Sequence, residues 1–341
     1  MSIATNKLFE RVFVTGGAGY CGSLLVPQLL DDGYKVTVYD TMFFGEAFLP
    51  KGNLDLRVVR GDIRNTAHLA AAAAGHDAFV SLACISNDAS FELDEALSTS
   101  VNMDAFEPMV LAAKNAGVRR FIYASSSSVY GVSNQPNVTE DHPLVPLTLY
   151  NKYKGMCEPL LKKHADDGFT AVIFRPATVC GYAPRLRLDL SVNILTNHAI
   201  NASRITVFGG SQLRPNLHVH DYCEAVKLFL TAPAEKIQKE TFNVGYQNLS
   251  IMDIAKLVQR VVSKEFPAQG EVAIVTTPTD DLRSYHINSD KIRRVLGYTP
   301  KHSIEDAVRD LCHAFREGRI PDSMNDDRYF NVKRLKRLRA A

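Results

Sequence analysis

Residues 11–22 read RVFVTGGAGYCG, and the architecture of the chain can be worked out from them. Arg11 to Thr15 is a short apolar run rich in β-branched and aromatic residues, the pattern of a buried strand. Gly16, Gly19 and Gly22 follow directly, and an apolar helical pattern runs on from Ser23 to Asp32. Glycine is needed where a chain turns tightly and where backbone must lie against a pyrophosphate. The start of the helix, with Tyr20 and Cys21 between the glycines, would offer free N–H groups and a positive dipole end to those phosphates. Such a glycine spacing says little alone, but a strand before it and a helix after it make it a dinucleotide-binding turn.

The alternation continues outward from this turn. Residues 35–39 (KVTVY), 56–59, 78–82, 120–124 and 170–174 read as strands, with helical patterns near 68–74, 102–116 and 149–164 among them. Strands separated by helices lie parallel, because parallel neighbours need a crossover. Right-handed crossovers then give an α/β fold, a doubly wound parallel (Rossmann) sheet with its ligands at the carboxyl ends of the strands. After about residue 180 the pattern loosens, and residues 205–208, 242–244 and 272–275 look like isolated strands among helices. The expected organisation is a dinucleotide-binding domain over residues 1–180 and a smaller C-terminal substrate-binding lobe over 181–341, interleaved with returns to the main sheet.

Asp40 ends the second strand, 24 residues after Gly16, near the offset of an acid that bonds the adenosine ribose hydroxyls. Its charge would repel a 2′-phosphate, and neither Thr41 nor Met42 supplies a compensating arginine, so NAD is expected rather than NADP. Asp62 follows the third strand in VVRGDIRN, where it can accept from the adenine amino group while Ile63 packs on the ring; a helix N-cap is the plainer alternative.

The 341 residues suffice for one large domain, or a large one with a smaller lobe. A net charge of +2 gives no field that would draw nucleic acid or an anionic membrane. No run approaches the roughly 18 apolar residues of a membrane span, and the opening MSIATNKLFE has no apolar segment with a cleavage site, so neither a span nor a secretory signal is expected. Cys21, Cys84, Cys157, Cys180, Cys223 and Cys312 are scattered, without a Cys-x-x-Cys pair. That argues against zinc or a disulfide framework and for a reducing cytoplasm. The basic tail at 333–339 (KRLKRLR) reads as a solvated helix or frayed end, or as a surface for an anionic partner.

Two segments carry the chemistry. Residues 124–131 (ASSSSVYG) close a strand, and 150–154 (YNKYK) lie on a helical pattern. Tyr150 and Lys154 are four apart and share one helix face. A free tyrosine is a poor base at neutral pH, but a nearby ammonium and a positive nicotinamide ring favour phenolate. Tyr150 would then exchange a proton with a substrate hydroxyl that a strand-end serine holds.

TGGAGYCG, GDIRN, SSSSVYG, YNKYK, RPATVCG and FGGSQLRPNLHVHD, taken together, resemble the extended short-chain dehydrogenase/reductases. Within these they are similar to the NAD-dependent nucleotide-sugar epimerase/dehydratase family, from about Val12 to Tyr298. The resemblance implies that Ser126, Tyr150 and Lys154 are catalytic. It implies that Leu82, Ala83, Ser125 and Pro176 lie against the cofactor, with Asn102 as a supporting asparagine. It gives Arg214 to the phosphates of the nucleotide, a role suited to a guanidinium, and makes Thr178, Asn193, Arg283 and Tyr285 candidate substrate contacts. It also implies a nucleotide-sugar substrate, a place in polysaccharide biosynthesis, and a homodimer formed through the helices that include 102–116 and 149–164.

Departures narrow the reading. Sugar 4,6-dehydratases place Asp-Glu directly after the catalytic Ser/Thr, whereas Ser127 and Ser128 stand here. Pro176-Ala177-Thr178 stands where many hexose 4-epimerases carry an asparagine, which counts against a plain UDP-galactose 4-epimerase. Cys84 and Cys180 read as small buried hydrophobes. His218 and His220 alternate as on a strand, suiting packing or nucleotide contact rather than a metal. The leading expectation is a 4-epimerase. A keto-sugar reductase, a dehydrogenase, an unusual dehydratase and a catalytically silent nucleotide sensor are the alternatives.

Overall fold

Each strand-forming run of the first half is followed by a helix or long crossover that returns the chain to the same edge direction, so the strands align in parallel. The structure, a computed structural model, describes residues 7–133, 135–279 and 284–340. Its strands are β1 Arg11–Thr15, β2 Lys35–Asp40, β3 Leu56–Arg60, β4 Ala78–Ser81, β5 Arg120–Ala124, β6 Thr170–Pro176, β7 Thr178–Cys180, β8 Arg204–Phe208, β9 Leu213–His218, β10 Glu240–Val244, β11 Gln247–Ser250 and β12 Ala273–Thr277. The main sheet has the order β10-β6-β5-β4-β1-β2-β3 and is parallel throughout. The chain starts at its centre, winds one way to β3, then crosses to β4 and winds the other way. The crevice at the ends of β1 and β4 is therefore the switch point where such sheets bind ligands.

Both sheet faces are buried. Phe13, Phe79 and Phe121 stand side by side on β1, β4 and β5, with the Phe79 and Phe121 rings stacked at 4.7 Å. On the other face Val12, Val80, Ile122 and Val172 pack with the helix Tyr20–Asp31 and the helix Val219–Thr231. The later half returns to this sheet through β10, which pairs with β6. Two small sheets, β11-β9-β7 and β12-β8, make up the rest of that half. There Ile205, Val258, Val262 and Val308 belong to a separate apolar cluster.

Two expectations are corrected. The helix read at 102–116 is interrupted by a π turn, Ser100–Asp104, before the helix Phe106–Asn115. His220 is not on a strand: His218 ends β9 and its Nδ1 accepts the His220 N–H at 3.1 Å, capping the helix Val219–Thr231. A ring nitrogen that satisfies an otherwise orphaned helix N–H explains why the strand stops there. The basic tail forms the helix Asn331–Ala340, with Arg334 and Arg337 both reaching Asp327. Among the described residues, no helix is long and apolar enough to cross a membrane.

Candidate active site

A cavity of about 930 Å3 lies over the carboxyl ends of β1, β4, β5 and β6. The glycine turn forms one wall. Gly16 takes φ 75°, and a Cβ there would lie 2.6 Å from the Ala83 nitrogen, so β1 and β4 leave the sheet this close together only because residue 16 is glycine. A Cβ on Gly22 would meet the Gly17 carbonyl oxygen at 2.5 Å. Gly19 donates its N–H to Gly16 O at 3.1 Å. Tyr20 and Cys21 open the helix beyond. The Tyr20 hydroxyl donates to Gly181 O at 2.6 Å, tying the turn to the later half.

Asp40 closes one end of the cavity. Its carboxylate accepts the Met42 N–H at 2.8 Å and the Ala18 N–H at 3.1 Å. Burial pushes its carboxyl above the usual range against the pull of those two N–H groups. Asp62 and Ile63 also face the cavity. The Arg64 guanidinium grips Asp62 at 2.6 Å and holds it below the usual carboxylate range. Leu82 and Ala83 line the floor. Asn102 does not reach the cavity. From the π turn its amide accepts the Ile85 N–H at 2.9 Å and donates to Ile85 O at 2.8 Å, holding the exit of β4 in place.

The chemical groups meet at the other end. Thr148 caps the helix Leu149–His164, which brings Tyr150 and Lys154 onto the cavity one turn apart. The Lys154 ammonium donates to Ala124 O at 2.7 Å and lies over the Tyr123 ring. Burial pushes the Tyr150 hydroxyl well above its ordinary value, the Cys84 thiol adding to this and the Arg187 guanidinium opposing it. In the protein alone burial dominates at Tyr150, and the Lys154 ammonium hydrogen-bonds a carbonyl.

Ser126, just past β5, shares a 2.7 Å hydroxyl contact with Ser128 and accepts the Ser128 N–H. Ser128 in turn donates to the Asn151 amide oxygen. Ser125 donates to Glu158 at 2.6 Å, and Glu158 is gripped twice by Arg175, at 2.7 and 2.9 Å. This buried pair joins the helix Leu149–His164 to β6 and fixes the strand ends between them.

Pro176 at the end of β6 and Thr178 at the start of β7 line the cavity, and Arg214 faces it from β9. Asn193 does not. Its side chain is fully buried, accepts the Gly181 N–H at 3.0 Å and donates to Arg187 O and the Tyr20 hydroxyl, so it shapes the wall from behind. The amide is used up by backbone that sequence spacing could not locate. Arg283 lies outside the described residues, while Tyr285 lines the cavity. Sequence reasoning missed Arg185, Arg187, Asp189, Asp88 and Asn331, all of which line it. The available signal was PRLRLD at 184–189, whose charges alternate with leucines as on a half-buried strand. Among the described residues no three His, Cys, Asp or Glu side chains gather as metal ligands, and all six cysteines are free.

The residues fit a dinucleotide laid from Asp40 to Tyr150 across the glycine turn. Such a cleft, with serine, tyrosine and lysine at one end, defines an extended short-chain dehydrogenase/reductase. Residues 12–245 match the NAD dependent epimerase/dehydratase family, and the chain belongs to it as an NAD-dependent enzyme. It is 28% identical over 329 residues to a dTDP-glucose 4,6-dehydratase of Streptomyces niveus, covering 91% of this chain and 94% of that one. It is likewise 28% identical over 327 residues to a UDP-glucose 4-epimerase of Lactobacillus helveticus, covering 87% and 94%. The solved structure of DesIV, a dTDP-glucose 4,6-dehydratase from Streptomyces venezuelae with NAD and TYD bound, superposes with a TM-score of 0.80 at 25% identity, covering 91% of this chain and 98% of DesIV.

Proposed function

We propose that this enzyme is a nucleotide-sugar 4-epimerase that oxidises its substrate transiently at the sugar C4. The observation that carries the reading is the wall beside Ser126, where Ser127 and Ser128 offer hydroxyls at the two positions that 4,6-dehydratases fill with an acid and a base. NAD, when bound, supplies a hydride acceptor that can return what it takes. Tyr150 takes the C4 hydroxyl proton and gives it back, and Ser126 holds that hydroxyl. Burial keeps the Tyr150 proton on and the Arg187 charge favours its release; Lys154, one turn further along the same helix, adds its charge once the nicotinamide is in place. Arg214 pairs with the phosphates of the nucleotide.

One observation favours a second reading. Asp88 faces the cavity, accepts from Thr148 at 2.6 Å, and its charge acts on Tyr150. A carboxylate there could serve an atypical dehydration. The discriminating experiment incubates the enzyme with UDP-, GDP-, CDP- and dTDP-sugars and weighs the products. Unchanged mass, no net NADH, and a fall of roughly 100-fold or more in kcat for Tyr150→Phe are expected. A product lighter by one water would sink the epimerase in favour of dehydration, and one lighter by two hydrogens in favour of a dehydrogenase. A Tyr150→Phe protein with unaltered behaviour would point to a nucleotide sensor.

Assembly as a homodimer is part of the proposal. Leu111 on the helix Phe106–Asn115 and Met156 on the helix Leu149–His164 are exposed, as are Val145, Leu147 and Leu149 at the approach to the second helix. Apolar side chains concentrated on two packed helices suit a partner face.

A further inference from the structure

We infer that Arg185 and Arg187 clamp the pyrophosphate of the bound dinucleotide from the side opposite the glycine turn, and that the helix Asn331–Ala340 locks this clamp so that NAD is retained between turnovers. The inference rests on NAD being the cofactor and is independent of the sugar chemistry.

The position comes from backbone contacts. The Arg185 N–H donates at 3.0 Å to the hydroxyl of Ser23, which lies in the first turn of the helix Tyr20–Asp31. The segment carrying both arginines therefore crosses the amino end of the helix that follows the glycines. Both residues line the cavity, and the charges of both act on Cys21 in that same turn. Arg185 also acts on Asp40, at the ribose end, and Arg187 on Tyr150, at the reacting end. A dinucleotide stretched between Asp40 and Tyr150 has its pyrophosphate midway, between the two arginines.

Both side chains hold donors in reserve. Arg185 is 2% exposed, stacks on the Phe44 ring at 3.6 Å and gives Nη2 to the neutral amide of Asn331 at 2.7 Å. Arg187 is 8% exposed, gives Nε to Asp189 at 2.5 Å and Nη1 to Ser86 at 3.0 Å. Among the described residues, buried Nε of Arg185 and buried Nη2 of Arg187 find no hydrogen-bond partner. A buried N–H of a charged group left unpaired is costly, and a phosphate oxygen is the acceptor that best offsets it. Burial, with Arg187 nearby, pushes Arg185 down to about 9, so it carries its charge at neutral pH and is stabilised by any anion that arrives.

Asn331 locks the arrangement. Its amide oxygen accepts from Arg185, its own N–H donates to Asp189 at 3.0 Å, and its amide nitrogen donates to Ser86 at 3.0 Å. One residue thus holds both arms and the exit of β4. Further along the helix, Arg334 donates to Phe43 O at 2.6 Å, beside the Phe44 ring that carries Arg185, and Arg339 pairs with Asp94 at 3.5 Å. Through Asn331 the helix that carries the basic tail is built into the cavity wall.

The test compares ADP-ribose, which contains the pyrophosphate, with adenosine, which lacks it, by calorimetry on the full-length protein, alongside the NAD content of each variant as purified. Arg185→Met and Arg187→Met should each weaken ADP-ribose at least ~10-fold and adenosine by less than about 2-fold, and should purify with less NAD. Asn331→Ala should release NAD several-fold faster. Equal losses for both probes, undiminished ADP-ribose affinity, or an Arg187→Met protein that keeps NAD but loses nucleotide-sugar binding would overturn the clamp. If the methionine variants do not fold, Arg185→Lys and Asn331→Ala carry the test, and an unaltered NAD release rate in both overturns it.

Discussion

Glu158 and Arg175 show how one buried pair organises the site without touching its substrate. Each side chain is almost wholly enclosed, at 5% and 6% exposure, and Arg175 spends a further donor on the Tyr130 hydroxyl at 2.7 Å. Burial works against the Arg175 charge, but Glu158 outweighs it and holds the guanidinium above its ordinary value. Such pairs add little net stability over an apolar substitute, yet removing one partner strands the other. Arg175→Met should therefore cost about 3–5 kcal/mol in urea unfolding, and Glu158→Leu/Arg175→Met should recover most of it. A single-variant loss below ~1 kcal/mol would mean that Glu158 finds water instead. The two residues are unremarkable in the sequence, 17 positions apart on a helix and a strand, because their meaning lies in burial.

At the scale of elements, the catalytic helix Leu149–His164 appears in the structure with the bounds the sequence assigned, while the preceding helix does not. Periodicity detects an apolar face but not the extra residue of a π turn, which here aims Asn102 at the backbone of Ile85. The same two helices carry the proposed dimer contact. Sedimentation velocity should give a dimer for the parent protein and a monomer for Leu111→Glu/Met156→Glu, since two carboxylates cannot be buried there without partners. A monomeric parent would remove the proposal. Both substitutions lie on surface positions of their helices, so each folded subunit should unfold as before.

The whole molecule has a pH dependence that follows from its buried histidines. His76 lies beneath the sheet, its ring joined to Thr37 at 2.8 Å and Ala73 O at 3.0 Å, and burial holds its pKa below the ordinary 6.5. His220 is lowered as well, by burial and then by His218 beside it. Between the ordinary value and the depressed one, the unfolded chain binds protons that the folded chain refuses, so stability rises with pH there. The contribution is complete above about pH 6.5 and is lost as the pH falls through the folded values. Urea midpoints measured at pH 7.5, 6.5 and 5.5 should fall in that order, and His76→Gln should flatten the decline. A flat profile for the parent would contradict it.

What the sequence determined by itself was local and periodic. The strand–glycine–helix turn at 11–22, the acid ending β2, the alternation of strands and helices, and the one-turn spacing of Tyr150 and Lys154 each depend on neighbours in the chain, where spacing is geometry. What only the tertiary structure decided was how the later half folds back. β10 takes its place at the edge beside β6, Asn193 spends its amide on backbone and the Tyr20 hydroxyl, burial governs Tyr150, and Arg185, Arg187, Asp189 and Asn331 become walls of the cavity. Those outcomes turn on which groups are removed from water and which partners, up to 291 positions away as for Arg334 and Phe43, meet them there. Burial and long-range pairing have no period along the chain, so no pattern in the sequence announces them.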